Sequence, residues 1–166
     1  RNEPPERAAT CLAPLLEGLA AHDVTGRFYV FILSDTDNPA IAAAEDTQFA
    51  ALADAWRGRV PISYRRRPVN TAFKAGNIHD FCERWGKEHD FAVVLDADSV
   101  MTAAAVLRLV RIMQIEPRLG ILQSLVTGLP STGAFARIFQ FGMRLGMRSY
   151  TVGSAWWQGD CGPYWG

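Results

Sequence analysis

The sequence has 166 residues, 17 basic and 17 acidic side chains and therefore no net charge, with 49% apolar residues. That length suits one domain spanning residues 1–166, with a core large enough to fold without staples, and the composition excludes a disordered chain. The neutral balance removes the electrostatic case for nucleic-acid binding. Cys11, Cys82 and Cys161 form no CxxC pair, which argues against a disulfide framework or a thiolate zinc site and for a reducing compartment. There is no charged-then-apolar leader. The longest uncharged run, residues 119–136, holds Pro130, Gln123 and four Ser or Thr residues, a poor membrane span. The abrupt ends suggest a piece cut from a longer protein, truncated on both sides.

In chain order, Pro4-Pro5 opens a helix to about Ala21, with Ala8, Leu12, Leu15, Leu16 and Leu19 on one stripe. Phe28–Leu33 is a continuous run of β-formers, expected of a strand buried on both faces. Pro39 starts an Ala-rich helix that ends near Trp56-Arg57-Gly58. Val60–Tyr64 is a second strand, followed by a basic loop at Arg65-Arg66-Arg67-Pro68 and a helix from about Ala75 to Lys87. Phe91–Leu95 predicts a third strand, running straight into Asp96-Ala97-Asp98. Thr102 caps a helix to Ile115, Leu119–Ser124 predicts a fourth strand, and residues 133 to about 152 form a helical pattern interrupted by Gly142 and Gly146. Strands separated by long helices imply an α/β fold with a mostly parallel sheet covered on both faces. In such sheets ligands sit beyond the carboxyl ends of the strands.

Two acidic clusters fall there, Asp35/Asp37 and Asp96/Asp98. Carboxylates gathered in one crevice repel one another unless a cation or hydrogen bonds offset them, and a hard divalent cation completed by substrate phosphates suits Asp-X-Asp after an apolar strand. The competing reading makes these aspartates helix caps or turn formers. The arginine run is either a solvated loop or a counter to an anionic ligand, and Lys74-Ala75-Gly76-Asn77 offers a point charge beside a Gly-Asn pair that lets a ligand approach the backbone. His22, His79 and His89 share no metal-ligand spacing and read as structural or surface groups. Trp85 is expected in the core, whereas Trp156-Trp157 and Tyr164-Trp165, among glycines, suggest a binding surface. The apolar helix at 133–157, edged by Arg137, Arg144 and Arg148, either packs into the core or covers an interface. No Gly-rich loop follows a strand, so neither a Walker nor a dinucleotide fingerprint is present.

Asn2-Glu3, Leu33-Ser34-Asp35, Lys74-Ala75-Gly76-Asn77, Leu95-Asp96-Ala97-Asp98-Ser99 and Gln123-Ser124 follow the order found in processive family-2 glycosyltransferases. The longer strings Tyr64-Arg65-Arg66-Arg67, Gly76–Cys82 and Val94–Met101, with Arg137–Gln158 and Tyr164-Trp165-Gly166, resemble the glucan biosynthesis glucosyltransferase H family of osmoregulated periplasmic glucans. The resemblance spans nearly the whole chain.

It implies a GT-A, Rossmann-like fold and an inverting β-glucosyltransferase using UDP-glucose to extend a glucan acceptor. The parent would sit at the cytosolic face of a bacterial inner membrane, held by transmembrane segments outside this chain. Residue by residue, Asp35 would contact the uridine or ribose, with Asp37 assisting, and Lys74 and Asn77 would lie along the nucleotide and diphosphate. Asp96 would hold the sugar or diphosphate and share Mg²⁺ or Mn²⁺ with its main ligand, Asp98. The family's Thr-Glu-Asp-like base motif and its Gln-X-X-Arg-Trp acceptor motif have no match here; Glu45-Asp46 lies in an early helix, in the wrong order. The base is expected beyond Gly166, so the chain itself is expected to be inactive. Two other readings compete: a non-catalytic nucleotide-sugar-binding domain, and a receiver-like phosphotransfer module, which would need a Lys where Gln123-Ser124 stands.

Overall fold

The computed structural model describes residues 2–22, 24 and 26–158. The chain divides into two compact units, Arg1–Gln114 and Ile115–Gly166. In the first, α1 (Pro5–Ala21), β1 (Val30–Ser34), α2 (Pro39–Ala55), β2 (Ile62–Arg66), α3 (Phe73–Trp85) with a 3₁₀ turn at Gly86–Glu88, and α4 (Ala103–Ile115) follow one another. The strands pair in parallel, Val30 opposite Ile62 through Ser34 opposite Arg66.

Local chemistry explains the boundaries. Pro5 occupies the first turn of α1, where its missing N–H costs nothing. The Asn38 side chain caps α2 by accepting from the N–H groups of Ala40 and Ile41. Thr102 caps α4 as expected, its Oγ1 accepting from the Ala105 N–H at 3.3 Å. Parallel strands need a crossover, and α2 provides it.

Side-chain alternation places helices on both faces of the strand pair. On one face Phe31 packs against Phe81 and Trp85 of α3, and His89 lies against the same ring. On the other, Tyr64 packs at a tilt against Phe49 of α2. On that second side Val30 and Ile62 meet a core of Leu15, Leu16 and Leu19 from α1, Val60, and Ala103 and Val106 from α4. Gly18 is the point of closest approach there, since a Cβ would lie 2.6 Å from that of Ala103.

The sheet differs from the four-strand expectation: β1 and β2 are the strands among the described residues. Residues 91–95 and 119–124 join no ladder. Phe91, Val93 and Val94 are 39–44% exposed, so the apolar cover that a central strand needs is missing, although Leu95 still reaches the α1–α4 core. Both strands also lie further along the chain than their patterns predict, and Arg65 and Arg66 belong to β2 rather than to a loop. Arginines persist in a strand when each face supplies a carboxylate. Arg65 meets Asp80 of α3 at 2.8 Å, and Arg66 meets Asp46 of α2 at 3.2 Å.

The second unit contains α5 (Ala134–Gln158), one uninterrupted helix despite Gly142 and Gly146. None of its described residues is buried. Phe135 stacks on Phe139, and Trp156 and Trp157 are more than 80% exposed. No described helix is long and apolar enough to cross a membrane.

Candidate functional site

Asp35 leaves the end of β1 on the α3 side and meets Arg67 just past the end of β2. The pair is bidentate, Nε to Oδ1 at 2.7 Å and Nη2 to Oδ2 at 2.8 Å, with side chains only 8% and 9% exposed. Its planar fork is the reason an arginine serves here and a lysine would not. Hydrogen bonding to Asp35 also holds the Arg67 guanidinium above its ordinary pKa. The same guanidinium donates to the carbonyls of Thr71 and Phe73 and to Asn70 Oδ1. Those bonds hold Ala72 and Phe73 at φ of 55° and 49°, left-handed values that L residues with a Cβ avoid.

The tight loop brings Lys74 to Asp96, Nζ to Oδ1 at 2.7 Å, with both side chains largely exposed. Two residues on, Asp98 Oδ2 accepts from Arg7 Nη2 of α1 at 3.1 Å. The segment before α1 then closes the circuit. Asn2 Nδ2 donates to Asp37 Oδ1 at 2.8 Å, and its Oδ1 accepts from the N–H groups of Asp37 and Asn38. The two acidic clusters are thus joined by way of Arg67 and Lys74 on one side and Asn2 and Arg7 on the other.

Asn77 is buried in α3, where its carbonyl and side-chain oxygens accept from Arg65 at 3.2 and 2.8 Å. Burial pushes the Arg65 guanidinium below its ordinary pKa, opposed by Asp80. Gly76 lies within the first turn of α3, and the space its missing Cβ leaves is taken by the Thr71 carbonyl. The glycine is needed by the chain's own loop, a different use from the ligand approach expected of it.

The arginine run likewise answers carboxylates of the chain itself: Asp80, Asp46 and Asp35 for Arg65, Arg66 and Arg67. Sequence reasoning missed that pairing, although three arginines following a strand that runs beside an Asp-ended strand was its signal. It also passed over Glu45, a buried carboxylate that accepts from Ser34, Thr36 and Tyr64. Asp35, Asp96 and Asp98 each hold a basic side chain of the chain itself.

Among the described residues, no three His, Cys, Asp or Glu side chains converge as a metal cage. The donor set of Asp96 and Asp98 nevertheless suits Mg²⁺ or Mn²⁺. Both are solvent-facing hard-oxygen groups, and such ions take one or two carboxylates together with water and phosphate oxygens. His79 pairs with Glu83 on the surface of α3, Cys11 and Cys82 are free thiols, and Trp85, expected in the core, is half-buried against Phe31 and Phe81. Cys161, Tyr164 and Trp165 lie outside the described residues.

Over 165 residues, 99% of its length, the chain is 39% identical to glucans biosynthesis glucosyltransferase H of Vibrio cholerae serotype O1. The resemblance runs from one end of the chain to the other. The protein of that name from Pseudomonas paraeruginosa is also 39% identical, and one from a Shewanella species 37%, each across 99% of the chain. The chain spans about a fifth of the length of these relatives, 23% of the Vibrio and Shewanella proteins and 19% of the Pseudomonas one. No solved structure and no family-level profile matches it. The span shared with glucosyltransferase H covers every residue of the circuit from Arg7 to Asp98.

Proposed function

We propose that the chain is the donor-binding part of a UDP-glucose-dependent, inverting β-glucosyltransferase that builds the backbone of osmoregulated periplasmic glucans, on a GT-A-type α/β fold. The observation that carries the reading is the circuit linking Asp35, Lys74, Asp96 and Asp98 in a chain that resembles glucosyltransferase H throughout. Asp35 follows the carboxyl end of a parallel strand, where nucleotide ligands of α/β proteins bind.

Asp35, held rigid by Arg67, accepts hydrogen bonds from the uridine end of the donor. Lys74 turns from Asp96 toward the diphosphate, an exchange made easy by the small net worth of an exposed ion pair. Asn77, buried, supports this edge by orienting Arg65. Asp98 and Asp96 would hold Mg²⁺ or Mn²⁺, which when bound neutralises charge on the departing diphosphate. Inversion also needs a base on the acceptor hydroxyl, and none of the chain's carboxylates is assigned that role. The parent acts at the cytosolic face of the inner membrane on a growing glucan, and the chain alone transfers no sugar.

Calorimetric titration of the chain with UDP tests this. Binding is expected with Mg²⁺ or Mn²⁺ present, and its loss with EDTA or on Asp98→Asn. Equal affinity in all three conditions overturns the metal role, and absence of binding overturns the donor reading. With UDP-glucose and a glucan acceptor, UDP release should stay at background; turnover would place a base within the chain.

A further inference from the structure

We infer that Glu45 is a positioning residue for Asp35, fixing the strand end on which donor binding depends. This rests on the reading of Asp35 as a donor contact. Glu45 projects from α2 and is 6% exposed. Its two oxygens grip the residues on either side of Asp35. Oε1 accepts from Thr36 Oγ1 at 2.7 Å, and Oε2 accepts from Ser34 Oγ at 2.8 Å. The Tyr64 hydroxyl of β2 donates to Oε2 as well, at 2.8 Å.

Two further bonds tighten the grip. The Thr36 N–H donates to Ser34 Oγ, and Thr36 Oγ1 accepts from the Asn2 N–H, each at 3.1 Å. Alternation then aims Asp35 away from Glu45, onto Arg67. One carboxylate thus pins residues 34 and 36 on the α2 side while the ion pair pins residue 35 on the α3 side. A buried carboxylate is costly to desolvate, and stability alone would be served as well by an apolar cluster in place of Glu45 together with the hydroxyls it binds. What the carboxylate adds is a single geometry for the strand end, the support that a preorganised site requires.

Two variants that keep shape cut the grip: Glu45→Gln replaces one acceptor oxygen with a donor, and Thr36→Val removes one arm. Tyr64→Phe is the control, because it removes one donor to Glu45 while leaving the bonds from Ser34 and Thr36 to that carboxylate in place. One readout needs no ligand, namely the NMR shift and solvent exchange of the Arg67 Nε–H that Asp35 accepts. The other is UDP affinity measured well below each variant's melting temperature. Glu45→Gln and Thr36→Val are expected to shift that resonance, speed its exchange and weaken UDP binding about tenfold. Tyr64→Phe should lower the melting temperature and change neither. An unchanged Arg67 resonance in both grip variants overturns the positioning role, whatever the UDP result. A wild-type chain that ignores UDP overturns the donor reading alone, and the resonance then still decides for or against Glu45.

Discussion

Asp35 and Arg67 show what one residue contributes when its partner is equally buried. Removing either leaves a charge with neither water nor counter-ion, which costs about 3–5 kcal/mol for buried pairs. Arg67→Met should therefore lower the urea-unfolding free energy by about 3 kcal/mol or more, and Asp35→Asn combined with Arg67→Met should cost less than the two changes added. Tyr64 gives a second residue-level test. Burial, with the Glu45 hydrogen bond and charge adding to it and Arg66 opposing, pushes its hydroxyl up from 10.0 to about 12. The folded chain keeps that proton more tightly than the unfolded one, so the contribution to stability is complete below pH 10.0 and is lost as pH rises toward 12. Melting followed across that window, with tyrosinate absorbance, should show the loss in wild type and a flatter curve in Tyr64→Phe. The sequence made both acidic clusters visible because Asp-X-Asp after an apolar run is a local pattern. Their partners were hidden because Arg67 lies 32 residues from Asp35 and Arg7 lies 91 from Asp98.

Among the elements, helices were legible and strands only partly. The α1 stripe, the Pro39 start of α2 and the Thr102 cap all depend on neighbours within a turn or two. Strand limits depend on who pairs with whom, which is why β2 extends through Arg65 and Arg66 and residues 91–95 form no ladder. The loop before α3 was invisible for the same reason, since the Arg67 bonds to Thr71 and Phe73 that fold it are tertiary. Gly76→Ala would drive a methyl into the Thr71 carbonyl and to 2.9 Å from the Cβ of Ala72, which with Phe73 is already left-handed. It should cost about 1–3 kcal/mol in urea unfolding and loosen the Arg67 Nε–H, whereas Gly142→Ala, with open space around it, should do neither.

For the whole molecule, the zero net charge conceals an uneven distribution. Residues 117–158 carry Arg118, Arg137, Arg144 and Arg148 and no acid. The composition was legible; that α5 would bury nothing was not, because an apolar helix pattern is the same whether or not something covers it. Phe135, Ile138, Phe139, Phe141 and Leu145 are each more than half exposed. Apolar surface of that kind drives association in water. The purified chain should elute in size-exclusion chromatography as oligomers, and Phe139→Ser with Phe141→Ser should shift it toward monomer. A sharp monomer peak for wild type at high concentration would refute this.

The closing contact of the circuit, Arg7 with Asp98, also sets an order in time. On a growing chain, α1 emerges long before residue 98 exists, and at about 5–20 residues per second the wait is several seconds. During that interval Asn2 can already find Asp37, while Arg7 has no acid to join. The edge is therefore assembled from the β1 side and sealed late. Pulse-labelled exchange on ribosome-bound chains of increasing length should find protection arriving at the Asn38 cap of α2 before it arrives at the Ser99 turn, whose N–H bonds the Asp96 carbonyl at 3.0 Å. A polypeptide halted before Asp96 would hold a finished Asp35 corner and half a site.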